Sequence, residues 1–508
     1  MDGWSFTNMF LSLFIGIIIL CFVLVYFFLR RKYNYWKDRG IPYAKPLPIV
    51  GNLGFLMRKS FWDFCNELKN KFPIDYVGIY LGWIPIMVIQ TPEYARNILT
   101  RDFEHFEDRY IYCGPSDPLG ALNLFTVNNP IWKQMRSELT PLFTALRLKN
   151  ITELMNINAV ELVKKIKRDH IDSNKAVHLK NLFSMYTSDT VAYTVFGIRV
   201  SALSDKPSPL WSITSHMVHW TFKRGLEFTL VFLLPTLASW LRFSFFSASA
   251  NDYIKKLFYN VVEARKNTDQ SKEKDLVNHL VKLKDNVKLP ADSFFYLTEL
   301  ADDLMLAQVA VFIFGAIETS STTLSYCLHE LAYHPEEQEK LYNEINEAVK
   351  RAGRDVLDYN ELLELKYLTA CIHETLRKYP PVPYLERYCA KDYRLNDEVT
   401  IESGVPVFIN LLALQHNEKY YPEPMKWDPE RFKDVAEGNN VDYTFLPFGE
   451  GPRYCIGRRY GVMQLRASLA QVLHKYRLEP AEPYNVASEP YAIILAPAGG
   501  LSVKFVER

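Results

Sequence analysis

The chain has 508 residues, 48% of them hydrophobic, and a formal net charge of +1. That length buries a sizeable core, and the near-neutral balance excludes the electrostatic footprint of a nucleic-acid-binding protein. The seven cysteines (Cys21, Cys65, Cys113, Cys327, Cys371, Cys389 and Cys455) are scattered, odd in number and without a C-x-x-C pair, which fits a reducing, cytosol-facing compartment better than a disulfide framework.

Residues 9–29 form an uncharged apolar run of 21 residues. As a helix at about 1.5 Å per residue it spans roughly 31 Å, enough to cross a hydrocarbon core. Arg30, Arg31 and Lys32 follow at once and only Asp2 precedes it, so residues 1–8 are expected on the luminal side and the body in the cytosol. A cleaved signal peptide would carry positive charge before a shorter run and a small-residue cleavage site, and neither is present. Pro42, Pro46 and Pro48 predict a stiff extended connector over residues 30–50 that stops the anchor helix from running into the body. The absence of linkers, low-complexity tracts and repeats leaves residues 51–508 as one large domain. Asn150 matches a glycosylation acceptor with Thr152, but a cytosolic body never meets the transferase.

Residues 76–90 read as β, with Gly78 and Gly82 as turn signals. From there to about residue 380 the pattern is mostly helical. Residues 160–167, 189–196 and 337–350 carry apolar side chains at i, i+3, i+4, and Pro335 followed by two glutamates opens the last of these. After residue 380 prolines and short β-like runs dominate until one more helix. The expected fold is therefore mainly α with a smaller β-rich part. Trp132 and Arg136 stand one helical turn apart and offer only donors, which suits a carboxylate. Residues 209–245, with Trp211, Met217, Trp220, Phe222, Phe228, Leu230, Phe232, Leu233, Leu234 and Trp240, suit either core or a membrane surface. Residues 311–323 read as a buried helix with an acid–alcohol pair, Glu318-Thr319, in its middle; hydroxyls in such a helix by default bond back to carbonyls one turn earlier. Glu374 and Arg377, at i, i+3, share a helix face and can pair.

Cys455 lies in Phe448-Gly449-Glu450-Gly451-Pro452-Arg453-Tyr454-Cys455-Ile456-Gly457. Two glycines and a proline predict a tight irregular loop that delivers the cysteine to the entry of a helix, where free N–H groups and the helix dipole favour thiolate. Such a thiolate could be a metal ligand, a nucleophile or a redox sensor; a nucleophile would want a histidine base, and the segment holds none.

The spacing F-x-x-G-x-R-x-C-x-G is similar to the haem-binding loop of the cytochrome P-450 family, matching all five family positions. The resemblance covers nearly the whole chain, and FEDR, LERYCAKDY and PERF at residues 106–109, 385–393 and 429–432 look most like microsomal members of the insect xenobiotic-metabolising and vertebrate drug-metabolising clade. It implies a haem-thiolate monooxygenase of the P-450 fold that inserts one atom of O2 into a small lipophilic substrate. Haem b would take Cys455 as axial iron ligand, with Phe448 beside it and Arg453, Trp132, Arg136, Arg387 and Arg109 toward the propionates. Thr319 would hold oxygen or its water and Glu318 would relay protons. Glu374, Arg377 and Arg431 would brace the loop. Tyr110, Phe312, Ala316, Val382 and Pro497 would line the substrate cavity. The family usually has Ala-Gly where this chain has Gly315-Ala316, which puts the shape of the oxygen groove in question.

No nicotinamide or flavin motif is present, so electrons from NADPH imply a separate P-450 reductase, docked on Lys133, Arg458 and Arg459, with cytochrome b5 as a second donor. The implied setting is the endoplasmic reticulum membrane, single-pass, with the lipid bilayer delivering apolar substrates past residues 209–245. Two other readings stay open: a thiolate-haem isomerase or dehydratase acting on peroxides, and a non-enzymatic haem-binding protein.

Overall fold

The computed structural model describes residues 3–54, 59–173, 175–204, 210–211, 221–265, 276–284, 300–435, 442–485 and 487–508, with no statement on the side chains of residues 3–8, 282–284, 300 and 301. Met217 and Trp220 lie outside the described residues.

The first helix, Gly3–Tyr33, contains the span Met9–Tyr33, whose most apolar window has mean hydropathy 2.9 and no buried residue, while Leu29 near its end is buried. It does not stop at residue 29. Arg30, Arg31 and Lys32 are good helix formers and sit at the negative end of the helix dipole, so they extend the helix to Tyr33. The connector packs on the body. Trp36 and Ile41 are buried, Trp36 Nε1 donates to the Ile79 carbonyl at 3.0 Å, and the backbone at Pro42 and Ala44 bonds to Gly78. Gly78 is therefore not a turn. It lies inside the strand Tyr76–Leu81, where a Cβ would stand 2.5 Å from the Trp36 ring. Gly82, at φ +59°, does make the turn, into the antiparallel strand Ile84–Ile89. The four-stranded sheet continues through Pro406–Asn410, parallel to Ile84–Ile89, and ends on Tyr384–Tyr388.

Of the three predicted helical segments, 189–196 and 337–350 fall within the longer helices Leu179–Phe196 and Pro335–Ala352, the last with Pro335 in its first turn, and 160–167 falls within Ala145–Ile166 except for Lys167, where a π-turn begins. At the centre runs Leu300–Tyr333, 34 residues long, packed against Leu179–Phe196. Its segment Asp302–Tyr333 is apolar enough to cross a membrane, but 72% of its most apolar window is buried, which makes it the core helix of the body. Residues 221–245 divide their apolar side chains between two destinations. Phe228 and Phe232 pack with Phe245, which in turn packs with Phe314 of the central helix, whereas Phe222 and Trp240 are exposed. All seven cysteines are unpaired.

The helix Lys366–Lys378 carries the brace. Arg377 grips Glu374 through two bonds of 2.7 Å, and both side chains have no solvent exposure. The Asp428 N–H donates to the same carboxylate at 2.9 Å. Burial pushes the Glu374 carboxyl up, and Arg377 is the main influence holding it down. Arg431 comes only to 3.6 Å and gives its Nη2 to the Pro422 and Glu423 carbonyls instead. The connection to the cysteine loop runs through Gln415, a residue the sequence motifs did not single out. Its carbonyl accepts from Arg377, its amide donates to the Leu376 and Arg377 carbonyls, and its Oε1 accepts from the Leu446 N–H at 3.0 Å, two residues before Phe448. Glu374→Ala leaves a buried unpaired Arg377 and is expected to cost about 3–5 kcal/mol. A lowered thermal midpoint would show it; Arg431→Ala, with its longer contact, should lower the midpoint less.

Candidate functional site

Cys455 reaches the core through a loop with little freedom. Gly449 and Gly451 have φ of +67° and +75°, and a Cβ on Gly451 would collide with the Leu99 carbonyl oxygen. Only glycine allows that approach. The Cys455 N–H donates to the Phe448 carbonyl at 2.8 Å, closing the turn, and Gly457 caps the helix Arg458–Lys475 two residues later. The predicted loop-to-helix entry is thus present.

Cys455 is solvent-accessible on its surface yet enclosed by protein, because its accessible side opens into an internal cavity of about 360 Å³. Burial pushes its thiol up. The Gly457 N–H and the positive charges of Arg136, Arg109 and Arg458 act in the opposite direction but do not win. The expected influence of the helix entry is therefore present but outweighed by burial. A metal cation at the sulfur would reverse the balance, since coordination deprotonates a thiol outright.

One wall of the cavity is strongly cationic. Arg109, Arg136, Arg387 and Arg453 all line it, as do Trp132 and Phe448. Arg453 lies 4.0 Å over the Trp132 ring, Arg136 4.5 Å over Tyr454 and Arg109 4.4 Å over Phe125. Arg453 also donates to the Glu107 and Val127 carbonyls and approaches Asp108. Glu386, likewise at the wall, pairs with Arg109 at 3.0 Å and accepts from the Tyr110 N–H. Against four guanidinium groups these two carboxylates leave a surplus of positive charge. Burial first, and then repulsion from Arg109, pulls Arg387 down to about 9; Arg453 is pulled to the same level by burial and by both neighbours. Nε of Arg109, Nε of Arg387 and Nη2 of Arg136 are buried and have no protein acceptor.

The opposite wall is apolar and belongs largely to the central helix. Phe312, Gly315, Ala316 and Thr319 line it, joined by Val382 and by Ile493 and Ile494. The Thr319 hydroxyl bonds back to the Gly315 carbonyl at 2.6 Å, the default for a helical threonine, and its oxygen still has acceptor capacity toward the cavity. A Cβ on Gly315 would meet nothing within 4 Å.

Three expectations do not hold. Glu318 does not face the cavity. Its carboxylate is buried against Lys180 at 3.0 Å, and Lys180 also donates to Ser321 and Thr322. Neighbouring positions on a helix point about 100° apart, so Thr319 alone of the pair can face inward. Tyr110 is held off the cavity by its hydroxyl bond to the Leu233 carbonyl. Pro497 lies outside the lining, on a turn that bridges to Ser488, and Ile493 and Ile494 take its place. Lys180, Glu386 and Gln415 are the functional neighbours that spacing did not show. Their partners lie far off in the chain, and only the acid–base adjacency of Glu386-Arg387 is a local signal.

A planar group with an apolar body, two carboxylates and a metal seeking one sulfur ligand fits this donor set. The unpaired guanidinium nitrogens, the cationic surplus and the enclosed thiol each match one part of it. Among the described residues no group of three His, Cys, Asp or Glu could enclose a bare metal ion.

Residues 41–505 match the family model described as Cytochrome P450. Similar proteins include cytochrome P450 6k1 of Blattella germanica, 32% identical over 97% of both chains. Probable cytochrome P450 6g2 of Drosophila melanogaster is 32% identical over 94% of this chain and 95% of its own. Cytochrome P450 6B2 of Helicoverpa armigera is 31% identical over 98% and 99%. The family's cofactor is haem b, with O2 as co-substrate and electrons from NADPH through a reductase. The chain therefore belongs to the cytochrome P450 family and is a haem monooxygenase.

Proposed function

We propose that this protein is a single-pass enzyme of the endoplasmic reticulum membrane, with residues 51–508 in the cytosol, that oxidises a small lipophilic molecule such as a xenobiotic, plant toxin, insecticide or endogenous lipid. The observation that carries the reading is one cavity with the Cys455 thiol, a cluster of under-paired arginines and the Thr319 hydroxyl on its walls. The Met9–Tyr33 span, uncharged over residues 9–29 and basic at Arg30, Arg31 and Lys32, supports the orientation.

In this reading Cys455 would hold the haem iron through its sulfur, and the bound haem would supply the oxygen-activating chemistry, which the electron density of a thiolate ligand would favour. Arg109, Arg136, Arg387 and Arg453 would hold the propionates, relieving the mutual repulsion of the guanidinium groups. Trp132 keeps Arg453 in place by stacking, and Phe448 covers the sulfur side. Thr319 would hold and orient a proton donor at its Oγ1 toward the cavity. The apolar wall of Phe312, Ala316, Val382 and Ile494 excludes water and offers an alkane-like or aromatic substrate its contact surface. Exposed Lys133 and Arg459, with Arg458 at the start of the helix after Cys455, make a cationic docking face for an acidic reductase, and cytochrome b5 could use the same face.

The reduced, carbon-monoxide-treated protein is expected to show a red-shifted thiolate Soret band that Cys455→Ala abolishes; a normal band in the variant would overturn the ligand assignment. Arg387→Gln should lower the haem-to-protein ratio after purification and leave the Soret position of the retained haem unchanged. Ala316→Gly should change product formed per NADPH consumed, measured on a substrate found by spin-state shift; an unchanged ratio would remove Ala316 from the control of coupling. Turnover that needs the reductase separates monooxygenation from isomerisation of peroxides, and Thr319 at the cavity wall favours the former.

A further inference from the structure

A second cavity, about 430 Å³, lies under the helix Phe222–Leu233 and shares no lining residue with the haem-side cavity. Its volume is within the range of about 300–1,000 Å³ that ligand pockets occupy. Leu226, Leu230, Leu234 and Leu237 form one wall, and Ile49, Val50 and Trp83 form the other. None of its lining residues is charged. Gly225 closes the inner end, where a Cβ would stand 2.6 Å from the Tyr491 Cβ. The spacing explains the division of the helix. Phe222, Leu226, Leu230 and Leu234 recur every fourth residue and form one ridge toward this cavity, while Phe232, off that ridge, lines the haem-side cavity.

We propose that this cavity is a binding site for one acyl chain of a bilayer phospholipid, seated independently of the substrate. The location identifies the occupant. Tyr33 ends the membrane-spanning helix, and its hydroxyl bonds to the Leu47 carbonyl at 3.2 Å and the Gly82 carbonyl at 3.3 Å. Gly82 lines the cavity, and Leu47 stands beside its rim residues Ile49 and Val50. The bilayer that holds the anchor therefore begins where the cavity opens. Its rim is apolar and exposed: Ile49 is 57% exposed, Val50 44% and Phe222 47%, and Trp240 stands three residues beyond Leu237 at 79%. Aromatic residues of this kind settle at the lipid–water boundary. A water-soluble ligand would leave this rim facing water, and an uncharged cavity offers nothing to a carboxylate or phosphate, so the headgroup stays outside and only the chain enters. The proposal rests on the membrane anchor and not on the haem reading, so the two can fail separately.

The test uses the full-chain holoenzyme in phosphatidylcholine nanodiscs in which part of the lipid carries a photoactivatable diazirine near the end of one acyl chain. After irradiation, peptide mass spectrometry is expected to find adducts on Leu226, Leu230 or Leu237. Leu237→Trp, which fills the cavity from a half-buried position, should abolish the adducts on Leu226 and Leu230 and retain those on exposed Trp240, with the carbon-monoxide spectrum unchanged. Leu226→Trp does the same from the other end, with loss read at Leu230 and Leu237, if the first variant does not fold. Adducts confined to Phe222, Trp240, Leu241 and the anchor would overturn the proposal, as would cavity adducts that persist in both tryptophan variants.

Discussion

The buried pair Glu374–Arg377 sets the position of everything around the thiol. An ion pair without solvent exposure cannot slide, because any displacement leaves a charge unpaired in a low-dielectric core. Arg377 passes this rigidity to the Gln415 carbonyl, and Gln415 passes it to the Leu446 N–H. From Leu446 the chain enters the loop at Phe448, whose carbonyl holds the Cys455 N–H. The sulfur is thus located by a relay of short bonds that starts on a different helix. The relay explains why an expensive buried charge is tolerated at a site where no reaction occurs.

The cavity is built from two incompatible halves. One edge gathers guanidinium groups that repel one another and keep unpaired donors; the other is made of methyl, phenyl and backbone surface from the central helix. A purely apolar ligand would leave Nε of Arg109, Nε of Arg387 and Nη2 of Arg136 without acceptors. A purely anionic one would gain nothing from Phe312, Ala316 and Val382. An amphiphilic cofactor would satisfy both halves and would leave apolar surface free for a lipophilic substrate.

What could be read in the chain and what could not divide along sequence distance. The cysteine loop was legible because its glycines, proline and sulfur lie within ten residues. Glu374 and Arg377 were legible because helix geometry pairs i with i+3. The anchor was legible because twenty or so apolar residues have few other uses. Gln415 braces residues about 38 positions away, and Lys180 meets Glu318 across 138, so no local spacing announces either. That long-range pair also undid the expected relay. Glu318 is adjacent to Thr319 in the chain but turned by a helix step toward a cation contributed from elsewhere. Gly78 failed as a turn for a related reason: its missing Cβ serves the indole of Trp36, which arrives from the connector. Tyr110 and Pro497 were placed by family pattern, and backbone bonds draw both away from the cavity.

The slot made by Gly78 has a mechanical meaning for the whole molecule. Trp36 is wedged into the sheet only three residues after the spanning helix ends at Tyr33, and it is hydrogen-bonded there to Ile79. The rod in the bilayer and the sheet beneath the catalytic body are therefore joined by a short stiff elbow and not by a tether. A body joined in this way does not swing freely below its anchor. When the rod tilts, the body tilts with it, and the height of every opening above the lipid follows from a single angle. A spanning helix meets a thinner hydrocarbon core by tilting, and this elbow would carry that tilt into the body.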